Sequence, residues 1–401
     1  MKKISFLLVI LLVLLPCLYG YDDDDFFDEN EPFRIKDRKF EIGFGIGGSV
    51  SNNLLSLGDI FSNTIIFDLN KLELGLKANA GLNVPFYFDL FFDTWGIGMF
   101  ANIDATGALA LNGKMLSFQN AVNEKSDLTS AVFFSTGVNS HFHIQQFKVR
   151  FKPALFYPIL YVVPETFSYT FDAPDGLTRL VFGYELLVYT ISPGYDISNI
   201  NTSPGFDFSV GVEYPVTRWK DISPLLDFDI GLDLVNIPIV ASVMNDYFIM
   251  SGGLNVVQDP DDELTELFDA LSNFESDTSD YLTKSRRVDR PFKMFFWAAW
   301  RPLAGSELLT VTPMLGFALN DMYHQPLSIE TGINAKLNLA NMFLAKAGLN
   351  YTDRLYKNSL GVAFNCRVFQ MDVDAEFQSQ DFLASWTAKG FGLSIGFKFG
   401  F

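Results

Sequence analysis

The sequence predicts an all-β protein, a transmembrane antiparallel β-barrel, on three observations. Apolar residues alternate with small or polar ones in segments of membrane-spanning length. The last of these segments ends the chain on Phe. An export signal stands at the other end, and no later stretch is apolar enough for a helical span.

The C-terminal segment is the clearest. Phe391, Leu393, Ile395, Phe397, Phe399 and Phe401 alternate with Gly392, Ser394, Gly396, Lys398 and Gly400. One tilted membrane strand needs about 9–11 residues, and this run supplies them. Its apolar face is expected to meet lipid and its small, polar face to line a lumen. The same period of two recurs at Phe206, Phe208, Val210, Val212 and Tyr214, with Asp207, Ser209, Gly211 and Glu213 between them. Leu226, Phe228, Ile230, Leu232 and Leu234 repeat it, as do Trp95, Ile97, Met99, Ala101 and Ile103; Phe100 is the one large apolar residue on the inward side of that last set.

The N-terminus reads as a signal peptide over residues 1–20. Lys2 and Lys3 precede the apolar run Ile4–Leu15, which at about a dozen residues is short for a helical span. An uncleaved anchor, or a lipoprotein modified at Cys17, are the alternatives; Pro16 and the bulky Leu14 and Leu15 suit a lipobox poorly. Residues 21–37, with the acidic run Asp22–Asp25, are expected to form a short periplasmic segment or a luminal hatch. Without the signal, Cys366 is the one cysteine left, so no internal disulfide is available.

The chain carries 42 Phe, 15 Tyr and 30 Gly with 19% charged residues. A membrane-embedded chain without apolar helices can satisfy its backbone only as a closed barrel. Residues 38–401 are expected to form it, with about 14 strands (range about 12–16), since such barrels usually have an even number. Gly316–Ile333 and Gly348–Val362 resemble successive hairpins, each with Asn, Asp and Tyr between two alternating runs. Parity slips by one at Val368–Phe369, which predicts a tight periplasmic turn there. The rhythm breaks at Gln258–Arg290, a long outward loop insertion. There Asp259-Pro260-Asp261 suits a helix start, and Leu264, Leu267, Phe268, Leu271 and Phe274 recur with helical spacing. That amphipathic helix is a candidate gate over the outer mouth.

Three charge ladders fall on the inward side of their strands: Lys148, Arg150 and Lys152; Asp227, Asp229 and Asp233; Asp372, Asp374 and Glu376. Facing lipid near the midplane, each Lys or Arg would cost about 2–4 kcal/mol. Inside a barrel they either pair across the lumen and stiffen the wall, or line a wet pore and bias the sign of the solute. The histidines are His141, His143 and His324; His141 and His143 share one face, read as a polar lumen position rather than a metal site. No catalytic constellation, cofactor motif or calcium loop is found, so no enzyme is expected. The formal charge of −18 argues against nucleic acid as a partner.

The closing Phe397, Phe399 and Phe401 resemble the C-terminal assembly signal of bacterial outer-membrane proteins, which implies the barrel-insertion machinery and outer-membrane lipid as partners. In size, Phe content and strand number the chain is similar to the fatty-acid-transporter (FadL-like) barrels, including Phe-rich spirochaetal examples. Those carry an Asn-Pro-Ala-type motif near the mature N-terminus. Asn30-Glu31-Pro32-Phe33 is the nearest sequence here and departs from it, so no ligand residues carry over. The resemblance implies a channel or transporter in the cell outer membrane for passive uptake of small nutrients, hydrophobic, fatty-acid-like ones among them. A structural or adhesin-like surface barrel without transport is the alternative.

Overall fold

A computed structural model describes residues 39–52, 76–111, 121–122, 127–172, 178–216, 223, 226–258, 275–303, 308–319, 327–339, 342–352, 355–366, 368–386 and 389–401. The signal segment 1–20, the acidic segment 21–37 and the candidate gate residues Leu264, Leu267, Phe268, Leu271 and Phe274 lie outside the described residues.

In chain order the strands are β1 (Phe40–Asn52), β2 (Leu76–Phe91), β3 (Trp95–Leu111), β4 (Ala121–Val122), β5 (Asp127–Ile144), β6 (Phe147–Asp172) and β7 (Thr178–Thr190). Then come β8 (Gly205–Pro215), β9 (Phe228–Val240), β10 (Ser242–Gln258), β11 (Glu275–Thr278), β12 (Leu282–Val288) and β13 (Phe292–Trp300). The chain closes with β14 (Leu309–Leu319), β15 (Leu327–Leu339), β16 (Phe343–Thr352), β17 (Leu355–Cys366), β18 (Phe369–Ser379) and β19 (Gly390–Gly400); a single helical turn, α1 (Phe382–Ser385), precedes β19.

Fourteen of these strands close into an antiparallel barrel. Its wall runs β1-β2-β3-β5-β6-β8-β9-β13 and on through β14 to β19, which pairs back onto β1 from Glu41↔Gly400 to Ser51↔Gly390. Phe401 seals the seam: its carbonyl accepts from the Lys39 N–H at 2.9 Å, and its ring meets Phe40 edge-on at 4.7 Å. Among the described residues no helix is long and apolar enough to cross a membrane; the wall crosses with strands.

Period two sorts the side chains as the lipid requires. Met99, Leu360 and Val362 are 65%, 59% and 61% exposed on the outside, where an apolar surface of that extent is stable only against lipid. Glu41, Asn83, Asp89, Asp233 and Glu330, on the other side, are buried. The C-terminal strand follows its sequence pattern, with Phe399 outside and Ser394 and Lys398 lining the interior. The parity slip at Val368–Phe369 is the turn between β17 and β18. Phe100 faces inward and is buried, with the Lys152 ammonium 4.1 Å from its ring centre; the ring stays on the polar side because a cation covers it.

The connections differ at the two ends. Beside the chain termini lie tight turns, such as Gln145-Gln146, where Gln145 takes φ 57°, and the turn at Phe92, stacked on Trp95 at 4.1 Å. The opposite end carries the long connections and a second structure that the sequence pattern did not reveal. Above Leu160, β6 leaves the wall to pair with β7, β7 pairs with β10, and β10 pairs with β11 and β12. The segment expected as a loop at 258–290 therefore contains strands β11 and β12, and Lys284, Arg286 and Arg287 lie on β12. The link into β8 is ordered by Asp196, which accepts from Ser198 N and Oγ at 2.9 and 2.7 Å; these bonds hold its carboxyl below the usual range.

By the barrel convention the turn end is expected to face the periplasm and the long-connection end to face outward. Proteolysis of intact cells should cleave within residues 53–75 or 259–274 and spare the turns at Gln145 and Val368 until the outer membrane is opened. Cleavage at those turns alone would reverse the orientation.

Candidate functional site

In the interior of the barrel, buried polar residues, aromatic rings and open space meet, and the interior is built on a repeated local device. Large luminal side chains lie flat over glycines of the neighbouring strand. Arg150 on β6 reaches Asp233 on β9 at 3.6 Å, passing over Gly211 of the intervening β8. A Cβ on Gly211 would stand 2.7 Å from Asp233 Oδ1 and 3.0 Å from Arg150 Nε, so only glycine leaves room for that bridge. Lys346 on β16 likewise reaches Asp374 on β18 at 3.3 Å and Asp372 at 3.4 Å, past Gly361 of β17, whose Cβ would collide with Asp374. Tyr87 covers Gly43 and donates to Glu41 at 2.7 Å; Trp297 covers Gly231 and donates to Asp233.

Of the expected ladder residues, Arg150, Lys152, Asp372 and Asp374 border the interior cavity, and several ladder members bond residues of other strands. Lys148 bonds Glu213 at 2.7 Å. Asp227 and Asp229 both take Arg301, the former at 3.3 Å. Glu376 accepts from Gln378 of its own strand. Further ion pairs came from residues that the sequence pattern did not single out. Arg290 binds Asp207 through Nε at 2.8 Å and Nη2 at 2.6 Å, a two-pronged contact that the guanidinium plane favours. Lys293 lies 3.5 Å from Glu330. Alternation located the faces but not the partners: Asp207 and Arg290 are far apart in sequence, and only the strand order brings them together. His141 and His143 lie on β5; His141 lines the cavity and packs on Phe91 at 6.2 Å. Among the described residues no group of His, Cys, Asp or Glu could hold a metal ion.

The pairs leave a cavity of about 430 Å³ in the barrel. Its lining mixes the rings of Tyr87, Phe100, Phe133 and Phe295 with charged groups, and more Lys and Arg than Asp and Glu reach it, although the whole chain is strongly acidic.

Above the cavity the outward strands form a cap. Leu187 and Tyr189 of β7, Met244 of β10 and Val288 of β12 pack on Ala131, Phe133 and Phe156 of the wall in one buried cluster. Tyr161 and Tyr247 join it; Tyr189 stacks on Tyr247 at 5.2 Å, and the Arg286 guanidinium lies 5.2 Å from the Tyr161 ring. The Arg290 guanidinium, 5.4 Å from Phe156, marks the boundary between this aromatic layer and the charged one below. Where wall becomes cap, the ladder lapses: pairing of β9 with β13 stops at Val235↔Lys293 and resumes at Ser242↔Val288. Pro238 and Pro291 in that interval have no N–H to give. Asn236, at φ 54°, bridges it through Nδ2 to the Pro291 carbonyl at 3.1 Å.

Asp207 and Arg290 are almost wholly shielded, so Asp207→Ala strands a buried cation. It should lower unfolding stability in lipid vesicles by about 3–5 kcal/mol, read by urea titration of tryptophan fluorescence. Asp207→Leu with Arg290→Met should recover most of the loss. Equal destabilisation by the single and the double variant would remove the ion pair as the cause.

No family model matches the sequence, and the search of curated protein sequences found no match. Solved structures do match. The toluene transporter TodX of Pseudomonas putida is 8% identical over 92% of this chain and 91% of its own, with a TM-score of 0.51. The CymD monoaromatic hydrocarbon channel (8% identity, 97% of each chain, TM-score 0.49) and a Pseudomonas aeruginosa FadL homologue (10% identity, 96% of this chain and 94% of that chain, TM-score 0.44) also align. At such identities the likeness is one of fold: this chain shares the barrel architecture of the toluene transporter.

Proposed function

We propose that the protein is a channel of the bacterial outer membrane for passive uptake of small molecules with an apolar body. The observation that carries this reading is the continuity of the aromatic cap with the cavity. The buried face of the cap is made of Tyr161, Tyr189, Tyr247 and Met244; Phe133 and Phe156 join it to the wall, and Phe133 also borders the cavity. A solute with an aromatic or aliphatic body would exchange one apolar contact for the next along that line, while the charged layer would hold water or a polar substituent. The fold shared with a toluene transporter supports the same reading. A purely structural barrel has no need of a cavity under an aromatic cap.

Several parts of this reading lie outside the described residues. Residues 1–20 would be the cleaved export signal, and residues 21–37 a luminal hatch. The helix bearing Leu264, Leu267, Phe268, Leu271 and Phe274 would cover the outer mouth. Among the described residues, Phe397, Phe399 and Phe401 would be the signal that the insertion machinery recognises.

Uptake of labelled toluene into cells producing the protein, against cells with an empty vector, tests the proposal. Tyr247→Ala should slow toluene entry about 2- to 12-fold, the loss of one aromatic contact of about 0.5–1.5 kcal/mol, with sugar permeation in liposome swelling not reduced. Deletion of residues 261–281 should raise conductance while the heat-modifiable barrel persists on gels. Toluene entry equal to the empty vector would leave the surface-barrel alternative.

A further inference from the structure

The connection between β18 and β19 does not arch over the mouth. It folds outward, and α1 rests on the external face of β17 and β18. The side of β17 that it covers is the lipid side: Tyr356 and Asn358 share their face with the exposed Leu360 and Val362, whereas Lys357 and Ser359 line the cavity. Asn358 is thus an amide in an apolar column, where a bare polar group would be costly. It is buried because α1 covers it, and its Nδ2 donates to Ser385 Oγ at 2.7 Å. The Phe382 ring meets Tyr356 edge-on at 5.5 Å, and Tyr356 in turn packs on Tyr351 at 4.7 Å. The turn itself is fixed by Asp381, whose carboxylate accepts from the N–H of Leu383 at 2.8 Å and of Ala384 at 3.3 Å. So anchored, it holds Leu383 and Trp386 off the wall, 75% and 64% exposed, with Phe382 at 41%.

We propose that α1 is an interfacial foot: Leu383 and Trp386 insert into the outer leaflet at the boundary between headgroups and acyl chains and fix the height of the barrel in the membrane. The occupant is lipid because the patch continues the lipid-facing band of Leu360 and Val362 on the same strand. Its composition also grades as that boundary does. The apolar Leu383 and Phe382 stand beside Trp386, whose ring has an apolar body and one N–H, and the charged Asp381 faces its own turn. The Asn358–Ser385 bond is the pin. It satisfies the Nδ2 of an otherwise costly amide on the lipid side and ties the foot to the wall.

The test uses a nitroxide at Leu383→Cys in a cysteine-free chain (Cys17→Ser, Cys366→Ser), folded in lipid vesicles and checked for heat-modifiable migration. Labels at Val362→Cys and Ser198→Cys serve as lipid and water references. Collision with oxygen should exceed collision with an aqueous nickel chelate at position 383, with a depth between the two references. Adding Asn358→Ala should shift that label toward the water reference. An oxygen-to-nickel ratio equal to that of Ser198→Cys would overturn the proposal by placing the turn in water. Shielding from both reagents would overturn it in favour of a second copy or another protein seated on the patch. An unshifted label in the Asn358→Ala chain would overturn the pin.

Discussion

The antiparallel pairing of Glu41–Ser51 with Gly390–Gly400 joins the two ends of the sheet, and every other feature of the molecule presupposes it. A lipid-exposed strand edge would leave a row of N–H and C=O groups unsatisfied, at several kcal/mol each. Closure removes both edges together. It also makes the inside a separate environment, where polar side chains have no route to bulk water through the wall. The Phe residues at the seam serve the same end from outside: Phe44 lies against Phe397 at 5.3 Å, and Phe369 against Phe399 at 5.1 Å, so the joint is covered by rings where lipid meets it.

Once the inside is enclosed, its charges must find each other. The wall solves this with glycine. On a pleated surface, a side chain reaching sideways to the second neighbour strand is blocked by the Cβ between them. Gly211 removes that obstacle between Arg150 and Asp233, and Gly361 does so between Lys346 and Asp374. The bridges span three strands and tie the wall across its hydrogen-bonding direction. The same positions explain the alternation of large apolar and small residues: one side needs bulk for lipid, the other needs room for its neighbours' side chains.

That division sets what could be read from the sequence. A two-residue period against lipid is strong, so the strand faces, the cavity side of Arg150, Lys152, Asp372 and Asp374, and the turn after Cys366 were legible. Ion-pair partners were not, because partnership depends on register and on strand order around the barrel. Asp207 with Arg290 is the plainest case. The cap was missed for a different reason. Leu186 and Val188 are buried on one face of β7, and Leu187 and Tyr189 on the other, so the strand shows no alternation at all. A run apolar on both faces cannot be told from a buried helix or an apolar loop by period. The outward fold of α1 left only Asn358 as a trace, a polar residue on the wrong side of its strand.

The cap is a continuation of wall strands rather than a loop resting on them, and this governs how the mouth is held. On one side, β6 is a single strand that runs from the wall into the cap; its β8 partner ends at Phe156↔Gly205 and its β7 partner begins at Leu160↔Thr190, with Pro158 in the interval. On the other, the ladder lapses between Val235↔Lys293 and Ser242↔Val288, where Pro238 and Pro291 cannot donate. Asn236 spans the gap with a side-chain bond, and Ser242 Oγ ties the base of β10 to the Ser203 carbonyl at 2.6 Å. Side-chain bonds of this kind contribute about 0.5–1.5 kcal/mol each, and the Ser203 N–H adds a main-chain bond to the Val243 carbonyl at 2.9 Å. The cap is therefore joined to the wall differently on its two sides, by one unbroken strand at β6 and by the separate strands β9 and β10 on the other. The latter side is also where Arg290 holds Asp207 beneath the aromatic layer, so the bond between cap and wall and the charge balance of the lumen meet in the same pair of side chains.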